Sequence, residues 1–315
     1  MLDKRGGSED AGLGTVSYTS ILEEHDVARS QREVRVGLLK DLALPEHNGG
    51  KKPVGVVAHI AHAPLDGADI PVLGNVLLGI GDVHTLLLLL QSPGGDGTVV
   101  EKIVSLCRAQ CKRFRVIVPN EAKSAATLIA LGADEIVMGP TSEIGPIDAQ
   151  VPVLTSGLIK YVSAQSFIDT RDDLVKKHAE QVKKNEDTSA TMQMLASLDL
   201  PFITECERLM AFGRDVAKKF LLGHMFSRMP NKVAAADKVV KILSSVDRFK
   251  VHGRLIDAST ARTELKLRVR LYGKSDPFWQ KVWQYYTRAE VAIIRSNAAK
   301  WLETTEELLT AVRPS

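Results

Sequence analysis

The stretch that decides the fold is Leu86-Leu-Leu-Leu-Leu-Gln-Ser-Pro-Gly-Gly-Asp96, together with the later Asn120-Glu-Ala-Lys-Ser-Ala-Ala-Thr127. The leucine run predicts a strand that is buried on both faces, because a strand with one solvated face would alternate apolar and polar residues. The glycines after it predict a turn, and the second piece predicts a serine at the start of an apolar helix. Together the two pieces offer backbone amides and a hydroxyl group, which are the parts that an acyl-transfer site needs.

Strand and helix patterns alternate from Val54 onward. Short aliphatic runs predict strands, and longer amphipathic runs predict helices. The predicted order is a strand at 54–60, a helix at 70–80, a strand at 85–90, a helix at 98–112, a strand at 115–118, a helix at 124–131 and a strand at 135–138. Such βαβ repetition predicts an α/β fold with a mainly parallel sheet and right-handed crossovers.

Beyond about residue 160 the strand patterns fade and helical patterns take over. The predicted helices lie at 164–184, 202–222 and 232–243, with one or two more within 276–312. The predicted divisions of the chain are a polar, partly disordered N-terminal arm (1–50), an α/β catalytic core (51–160) and a helical C-terminal part (161–315) that continues the core and supplies an oligomer contact.

Composition and charge exclude several classes of function. Apolar residues make up 44% of the 315 residues, which is enough for a sizeable core. The net charge of +3 is too balanced to indicate binding to nucleic acid or to an anionic membrane. The longest aliphatic run is too short to span a bilayer, and the polar N-terminus lacks the apolar stretch of a signal peptide. With three cysteines and no disulfide framework, we expect a cytoplasmic protein.

The same two pieces carry a resemblance to a known family. Ser92-Pro-Gly-Gly95 resembles the oxyanion turn of the Clp protease and signal peptide peptidase A class. The stretch from Lys123 to Gly139, followed by Glu143-Ile-Gly-Pro-Ile-Asp-Ala-Gln150, is similar to the serine dehydrogenase proteinases, a branch of the Clp-like serine peptidases. The resemblance covers roughly residues 53–290. It implies the repeated βαβ (spiral) fold of the Clp–crotonase superfamily with a helical C-terminal part, and it implies neither a metal nor a cofactor.

The resemblance also implies a role for each residue of the two motifs. Ser124 would be the nucleophile, and the amides of Gly95 and Ala125 would hold the oxyanion. Gly94 would complete the oxyanion turn. From the residues alone, capping the following helix is the favoured role of Ser124, and Gly94 and Gly95 are suited to end a strand in a turn.

The general base is the least defined part of the predicted site. The region in which Clp protease carries a histidine, 144–151, holds none here. Signal peptide peptidase A and its relatives use a later lysine, and Lys160 is the first lysine after the motif. Because a buried lysine with a depressed pKa can accept a serine proton at neutral pH, we predict Lys160 as the base, ahead of Lys176 and Lys177.

The remaining polar residues receive supporting roles. Lys123 adjoins the nucleophile but does not face it on a helix, so we expect it to bind substrate or steady the loop. Asp148 stands where the Clp histidine would be, and either orients a base or caps a turn. His59 and His62 end the first strand on the side where ligands gather. His252 begins a His-Gly turn that we interpret as structural, and it ranks last as a base.

These inferences predict an ATP-independent serine peptidase that cleaves soluble peptides or unfolded proteins and acts as a homo-oligomer. Two alternatives remain open. The crotonase branch of the same fold acts on acyl-coenzyme A thioesters with carboxylates, and Glu143 or Asp148 would then carry the chemistry. The missing histidine also leaves open a catalytically inactive scaffold that binds peptides.

Overall fold

The computed structural model describes residues 28–46, 52–245 and 255–312. The disorder predicted for residues 1–15 lies outside the described residues, as does His252. The described part of the predicted N-terminal arm is therefore residues 28–46, in which a helix begins at Ala28.

The elements alternate as the sequence predicts over the first half of the chain. The strands are β1 (Val54–Ala61), β2 (Val83–Gln91), β3 (Cys111–Val118), β4 (Glu121–Ala122), β5 (Glu135–Met138), β6 (Glu143–Ile144), β7 (Gln150–Thr155), β8 (Leu158–Ser163), β9 (Ile256–Asp257), β10 (Val269–Leu271), β11 (Ala298–Glu303) and β12 (Leu308–Val312). The helices are α1 (Ala28–Ala43), α2 (Asp69–Ile80), α3 (Val100–Ala109), α4 (Ala125–Leu131), α5 (Ala164–Lys183), α6 (Ser189–Ala196), α7 (Leu200–Phe220), α8 (Lys232–Leu243), α9 (Ala258–Thr263) and α10 (Pro277–Ser296).

A seven-stranded sheet in the order β10-β5-β3-β2-β1-β11-β12 forms the centre of the molecule. The five strands from β10 to β1 are parallel, and β11 and β12 add an antiparallel edge. A short sheet, β4-β6-β9, lies beyond the carboxyl ends of the central strands. The predicted α/β fold, with repeated βαβ units and a mainly parallel sheet, is confirmed.

Two apolar layers cover the two faces of the central sheet, and β2 shows why its leucine run has no polar interruption. Leu86, Leu88 and Leu90 belong to the larger layer, whereas Leu87 and Leu89 belong to the second. Successive side chains of a strand point to opposite faces, so a strand between two layers must be apolar at every position.

The N-terminal division at residue 50 does not separate an arm from the core in the described residues. Leu39 and Leu42 of α1 are fully buried in the second layer, beside Val282 and Tyr285 of α10. The sequence pattern did not predict this packing, because α1 is polar over most of its surface and only one stripe of the helix is apolar. The predicted oligomer contact of the C-terminal part stays a prediction.

The prediction of one or two helices and no strand within residues 276–312 is wrong for the last part of that range. Helix α10 ends at Asn297, whose left-handed conformation (φ 51°) terminates it, and the chain then forms β11 and β12. Strand β11 pairs with β1, with Trp301 opposite Ile60 and Leu302 opposite His59. The C-terminal part thus completes the central sheet, a long-range pairing that local sequence patterns do not encode.

A β-hairpin and two helices, here called the hairpin–helix segment (residues 150–196), extend from the core. The hairpin of β7 and β8 was not predicted, although Ser156 and Gly157 form its turn with φ of 52° and 78°. Two left-handed residues make the two-residue turn typical of hairpins, and the Ser-Gly dipeptide was the available signal. Leu154 and Leu158 remain well exposed, so this segment buries little of its own apolar surface.

Candidate active site

Ser124 lies between β4 and α4 in a strained backbone conformation. Its φ is 48° and its ψ is −115°, a region that non-glycine residues rarely occupy and that costs about 1–3 kcal/mol. Its side chain makes no capping hydrogen bond to α4, although it occupies the capping position. The simple capping role is therefore not what the structure shows, and the hydroxyl group is left available on a partly exposed residue.

The glycine turn lies directly against Ser124. Gly94 (φ 102°) approaches it so closely that an added Cβ would lie 2.8 Å from the Ser124 Cβ. At Gly95 (φ 143°) an added Cβ would lie 2.3 Å from the backbone nitrogen of Leu65. Both positions therefore need glycine for conformation and for space, and the two sequence motifs meet in the fold.

The amide groups of Gly95 and Ala125 donate no hydrogen bond to any residue in the described ranges. Ala125 is the first residue of α4, where the amide has no partner within the helix. The Gly94 amide, in contrast, donates to the hydroxyl group of Ser92 (3.1 Å). Neither of the two predicted oxyanion donors therefore has an acceptor within the described residues.

A cleft of about 450 Å³ opens beside Ser124. Its walls combine the two motifs with residues from the β1–α2 loop and from the hairpin. The lining residues are Pro64, Leu65, Pro93, Gly94, Gly95, Asp96, Ser124, Gln150 and Tyr161. Sequence reasoning missed Leu65, Gln150 and Tyr161, since their place in the cleft depends on loops that converge only in the fold.

The end of β2 is joined to the strand that leads to Ser124. The Ser92 amide donates to the Glu121 carbonyl, and the Lys123 amide donates to the Ser92 carbonyl (3.1 Å each). Gln91 and Glu121 add a side-chain link, in which the Glu121 amide donates to Gln91 Oε1 (2.8 Å). Burial raises the pKa of the Glu121 carboxyl. These bonds fix the glycine turn and the serine relative to each other.

The loop after Ser124 is secured by Thr127, Gly145 and Lys123. The Thr127 hydroxyl lies 2.7 Å from the Ala122 carbonyl oxygen and accepts the Gly145 amide (3.1 Å). Lys123 packs its buried stem along Gly145 and forms an ion pair with Glu143. Neither Lys123 nor Glu143 lines the cleft, so the geometry favours the loop-steadying role for Lys123 over substrate binding.

Asp148 is buried and lies outside the cleft lining. Its neighbours in the chain are fixed by backbone bonds: the Ile147 amide donates to the Leu243 carbonyl (2.9 Å), and the Ala149 carbonyl accepts the Ala164 amide (2.8 Å). The Asp148 carboxyl therefore does not line the cleft beside Ser124.

The predicted base, Lys160, does not meet the expectation that it is buried. It is exposed on β8, and its strand neighbour Tyr161 is the one that lines the cleft. Since successive side chains of a strand alternate, Lys160 points away from the face that Tyr161 presents to Ser124. Lys176 and Lys177 are also exposed, on α5. Lys160 is exposed because the hairpin buries little of its own surface, and no local sequence pattern indicated this.

The two histidines at the end of β1 face carboxylates rather than the cleft. His62 Nε2 lies 2.8 Å from Glu290 Oε2 on α10, and His59 Nε2 lies 3.6 Å from Asp69 Oδ1. His59 is buried. Within the described ranges, no three His, Cys, Asp or Glu residues cluster in a way that could hold a metal ion.

Sequence comparison assigns the segment that contains these motifs. Residues 76–189 match the ClpP-like SDH-type serine proteinases. The matched segment covers 114 of the 315 residues. It spans β2, the glycine turn, Ser124 and the hairpin. The resemblance of the two motifs to the serine dehydrogenase proteinases is thereby confirmed.

Two uncharacterized proteins of Methanocaldococcus jannaschii are also similar. One is 36% identical over 86 residues, which are 27% of this chain and 30% of that protein. The other is 38% identical over 64 residues, which are 20% of this chain and 22% of that protein. The chain therefore aligns with less than a third of the length of either relative.

Solved structures give weaker likenesses. The 1510-N membrane-bound stomatin-specific protease, in complex with a substrate peptide, is 17% identical and aligns over 75% of this chain and 97% of its own, with a TM-score of 0.30. Methylmalonyl CoA decarboxylase is 14% identical over 59% of this chain and 90% of its own, with a TM-score of 0.28. The family assignment rests on the sequence match. No helix in the described ranges is both long and apolar enough to cross a bilayer.

Proposed function

We propose that this protein is an ATP-independent serine peptidase that cleaves soluble peptides or unfolded proteins in the cytoplasm. One observation carries the proposal: Ser124 is held at φ 48° with an uncapped side chain, at a cleft, against a glycine turn. Strained backbone at a cleft is typical of a nucleophile that must be presented to a substrate, whereas a serine that serves only as a cap has no need of strain.

In the proposed reaction the Ser124 hydroxyl attacks a peptide carbonyl carbon, and negative charge develops on the carbonyl oxygen. The Gly95 and Ala125 amides receive that charge, which is why the lack of an internal acceptor for either amide supports the proposal. One such donor contributes on the order of 100- to 1000-fold in rate. The carbonyl then re-forms, the amine leaves with a proton, and water releases the acyl group.

We propose Lys160 as the base that accepts the Ser124 proton and later protonates the leaving amine. Because Lys160 is exposed on β8, this role requires the hairpin to change its position or to be covered by another subunit. Desolvation of an amine lowers its pKa toward the range of an effective base. The proposal therefore includes a homo-oligomer in which the hairpin is covered.

Hydrolysis of a library of unstructured peptides, followed by mass spectrometry, tests the activity. Wild type is expected to cleave, Ser124→Ala to lose cleavage, and Ser259→Ala to retain it, since Ser259 is an exposed serine in the first turn of α9. A fluorophosphonate probe should label wild type at Ser124 only. Cleavage that survives in Ser124→Ala contradicts the proposal.

A peptide-binding scaffold is the second candidate, and the exposure of Lys160 favours it. Within the described residues, the cleft lining contains neither lysine nor histidine. A scaffold would bind an unstructured peptide with equal affinity in wild type and in Ser124→Ala, and neither the probe nor the cleavage assay would give a signal. Fluorescence anisotropy with a labelled peptide measures that affinity directly.

A further inference from the structure

The backbone of Leu65 holds the glycine turn from the side opposite Ser124. The Leu65 amide donates to the Gly94 carbonyl (2.7 Å), and the Asp96 amide donates to the Leu65 carbonyl (2.9 Å). These two bonds flank Gly95 and form an isolated parallel bridge with it, here called the Leu65 bridge. The close approach is possible because Gly95 has no Cβ.

The Leu65 bridge sets the direction of the Gly95 amide. The Gly94 carbonyl and the Gly95 N–H belong to one peptide unit, which is planar and trans, so the two groups point in opposite directions. Fixing the Gly94 oxygen on the Leu65 amide therefore turns the Gly95 N–H away from Leu65. If the Leu65 bridge loosens, the Gly94–Gly95 peptide unit is free to rotate, and the Gly95 N–H no longer keeps its direction.

The residue after Leu65 is tied to a buried carboxylate. The Asp66 amide donates to Asp69 Oδ2 (2.8 Å), and Asp66 Oδ1 accepts the Ala68 amide (2.8 Å). Asp69 is 7% exposed and begins α2. The turn that presents Leu65 is therefore closed by the Asp69 side chain and not by backbone bonds alone.

Asp69 is in turn anchored to the central sheet. Lys300 Nζ on β11 lies 2.8 Å from Asp69 Oδ2 and 3.0 Å from Asp66 Oδ2. His59 on β1 faces the other Asp69 oxygen at 3.6 Å. Burial favours the neutral acid, but hydrogen bonds from His59 and Lys300 outweigh it and lower the pKa of Asp69 to about 2. The carboxylate is thus ionised and held at both oxygens.

We propose that Asp69 and Lys300 are positioning residues for the oxyanion donor at Gly95. The inference rests on the proposed function, because it assigns these residues to the same site. The connection runs from the sheet through Lys300 and Asp69 to the Asp66 amide, and from there through the Leu65 bridge to the Gly94–Gly95 peptide unit. Neither residue touches the substrate, and their effect is on the direction of one N–H group.

Amide hydrogen exchange tests the connection without relying on catalysis. The variants are Asp69→Ala, which removes the contacts of the carboxylate to Asp66, Lys300 and His59, and Lys300→Met, which is milder because the bond to the Asp66 amide remains. Asp134→Ala is the matched control, since Asp134 also accepts from a cation (Arg108, 2.9 Å) and from a backbone amide (Phe114, 2.8 Å), but away from the cleft.

The expected result is an increase of about tenfold in exchange at the Leu65 and Asp96 amides in Asp69→Ala, and a smaller increase in Lys300→Met. Asp134→Ala should leave both amides unchanged. Unchanged exchange in both test variants overturns the proposal, and so does an equal increase in the control, which would show general loosening. If Asp69→Ala does not fold, the exchange rates measured in Lys300→Met decide whether the proposal holds.

Kinetics then tests the role in the reaction. We expect kcat to fall by roughly 10- to 100-fold in Asp69→Ala with KM within about twofold, because the loss is confined to the charged transition state. A peptide aldehyde that adds to Ser124 should bind more weakly by the same factor. A rise in KM with unchanged kcat overturns the positioning role. If wild type cleaves nothing, the proposed function fails, and the exchange result still decides whether Asp69 and Lys300 fix the turn.

Discussion

Two regions of the molecule differ in how much of their apolar surface they bury. One is the central sheet, which presents Ser124, and the other is the hairpin–helix segment, which carries Lys160. Ser124 and the glycine turn are fixed by bonds to β2, β4 and Leu65, above a sheet whose leucines are fully buried. In the hairpin, Leu158 and Ile159 are each 66% exposed. The difference teaches that the proposed nucleophile and oxyanion donors are fixed by packing within the chain, whereas the proposed base is not.

The small apolar cluster that holds the hairpin–helix segment supports this contrast. It contains four buried residues, two from the segment and two from α7, which are Val151, Ala164, Cys206 and Met210. A cluster of this size supplies little hydrophobic stabilisation compared with the two layers of the sheet. The segment is thus the part of the site whose position is least determined by packing.

Replacing the predicted base should have the largest effect on activity. Lys160→Met is expected to lower kcat by about 100- to 10,000-fold, the range for loss of a general base. The fold should be unaffected, because Lys160 is exposed. Steady-state hydrolysis of a peptide checks this, with Lys176→Met on α5 as the control. Equal activity of wild type and Lys160→Met would remove Lys160 from the site, and loss of activity only in Lys176→Met would move the base there.

Breaking an ion pair in the buried core should cost more unfolding free energy than breaking one in the exposed hairpin–helix segment. Arg35 on α1 makes a bidentate ion pair with the fully buried Glu303 on β11, which also accepts from Tyr285. Arg35→Met removes the bidentate partner of that carboxylate, leaving Arg32 at 4.0 Å, and should lower the free energy of unfolding by about 3–5 kcal/mol.

The matched pair in the outer region is Arg171–Glu207, which joins α5 to α7 with Glu207 43% exposed. Arg171→Met should cost less than about 1 kcal/mol, because solvent screens an exposed pair. Urea unfolding measures both variants. Equal losses for Arg35→Met and Arg171→Met would contradict the proposed difference between the regions.

Adding a single methyl group at Gly95 should lower activity while the protein still folds. Gly95→Ala forces a Cβ to within 2.3 Å of the Leu65 nitrogen, so the peptide unit must move and the oxyanion donor with it. We expect activity to fall by about 100- to 1000-fold. Gly97→Ala is the control, since a Cβ there meets nothing within 4 Å. Comparable activity in the two variants would rule out Gly95 as a donor.

The Asp69 anchor should give a smaller effect than the active-site variants, visible in the dependence of stability on pH. Its folded pKa of about 2 lies below the ordinary value of 3.8, so the ionised carboxylate stabilises the fold above pH 3.8. This stabilisation, about 2 kcal/mol, is lost as the pH falls from 3.8 toward 2. The difference in unfolding free energy between wild type and Asp69→Ala should therefore shrink over that interval. A difference that grows on acidification contradicts the assignment.

The sequence predicted the local structure of the candidate site where its parts are close in the chain. The run from Leu86 to Gly95 and the serine at 124 each carry a local signal, namely an apolar strand, a glycine turn and a helix start. That signal is strong because backbone conformation and burial act on adjacent residues. The cleft residue Leu65 and the anchor formed by Asp69 and Lys300 carry no such signal, since Asp69 and Lys300 are far apart in the chain.

What the sequence determined by itself is the α/β alternation up to Met138, the parallel sheet and the placement of glycine and serine at their motifs. Tertiary structure alone decided that β11 pairs with β1, that the hairpin borders the cleft and that Lys160 is exposed. The physical reason is the range of the interactions. Helix and strand periodicity depends on neighbours in the chain, whereas strand pairing and burial depend on which distant segments the completed core brings together.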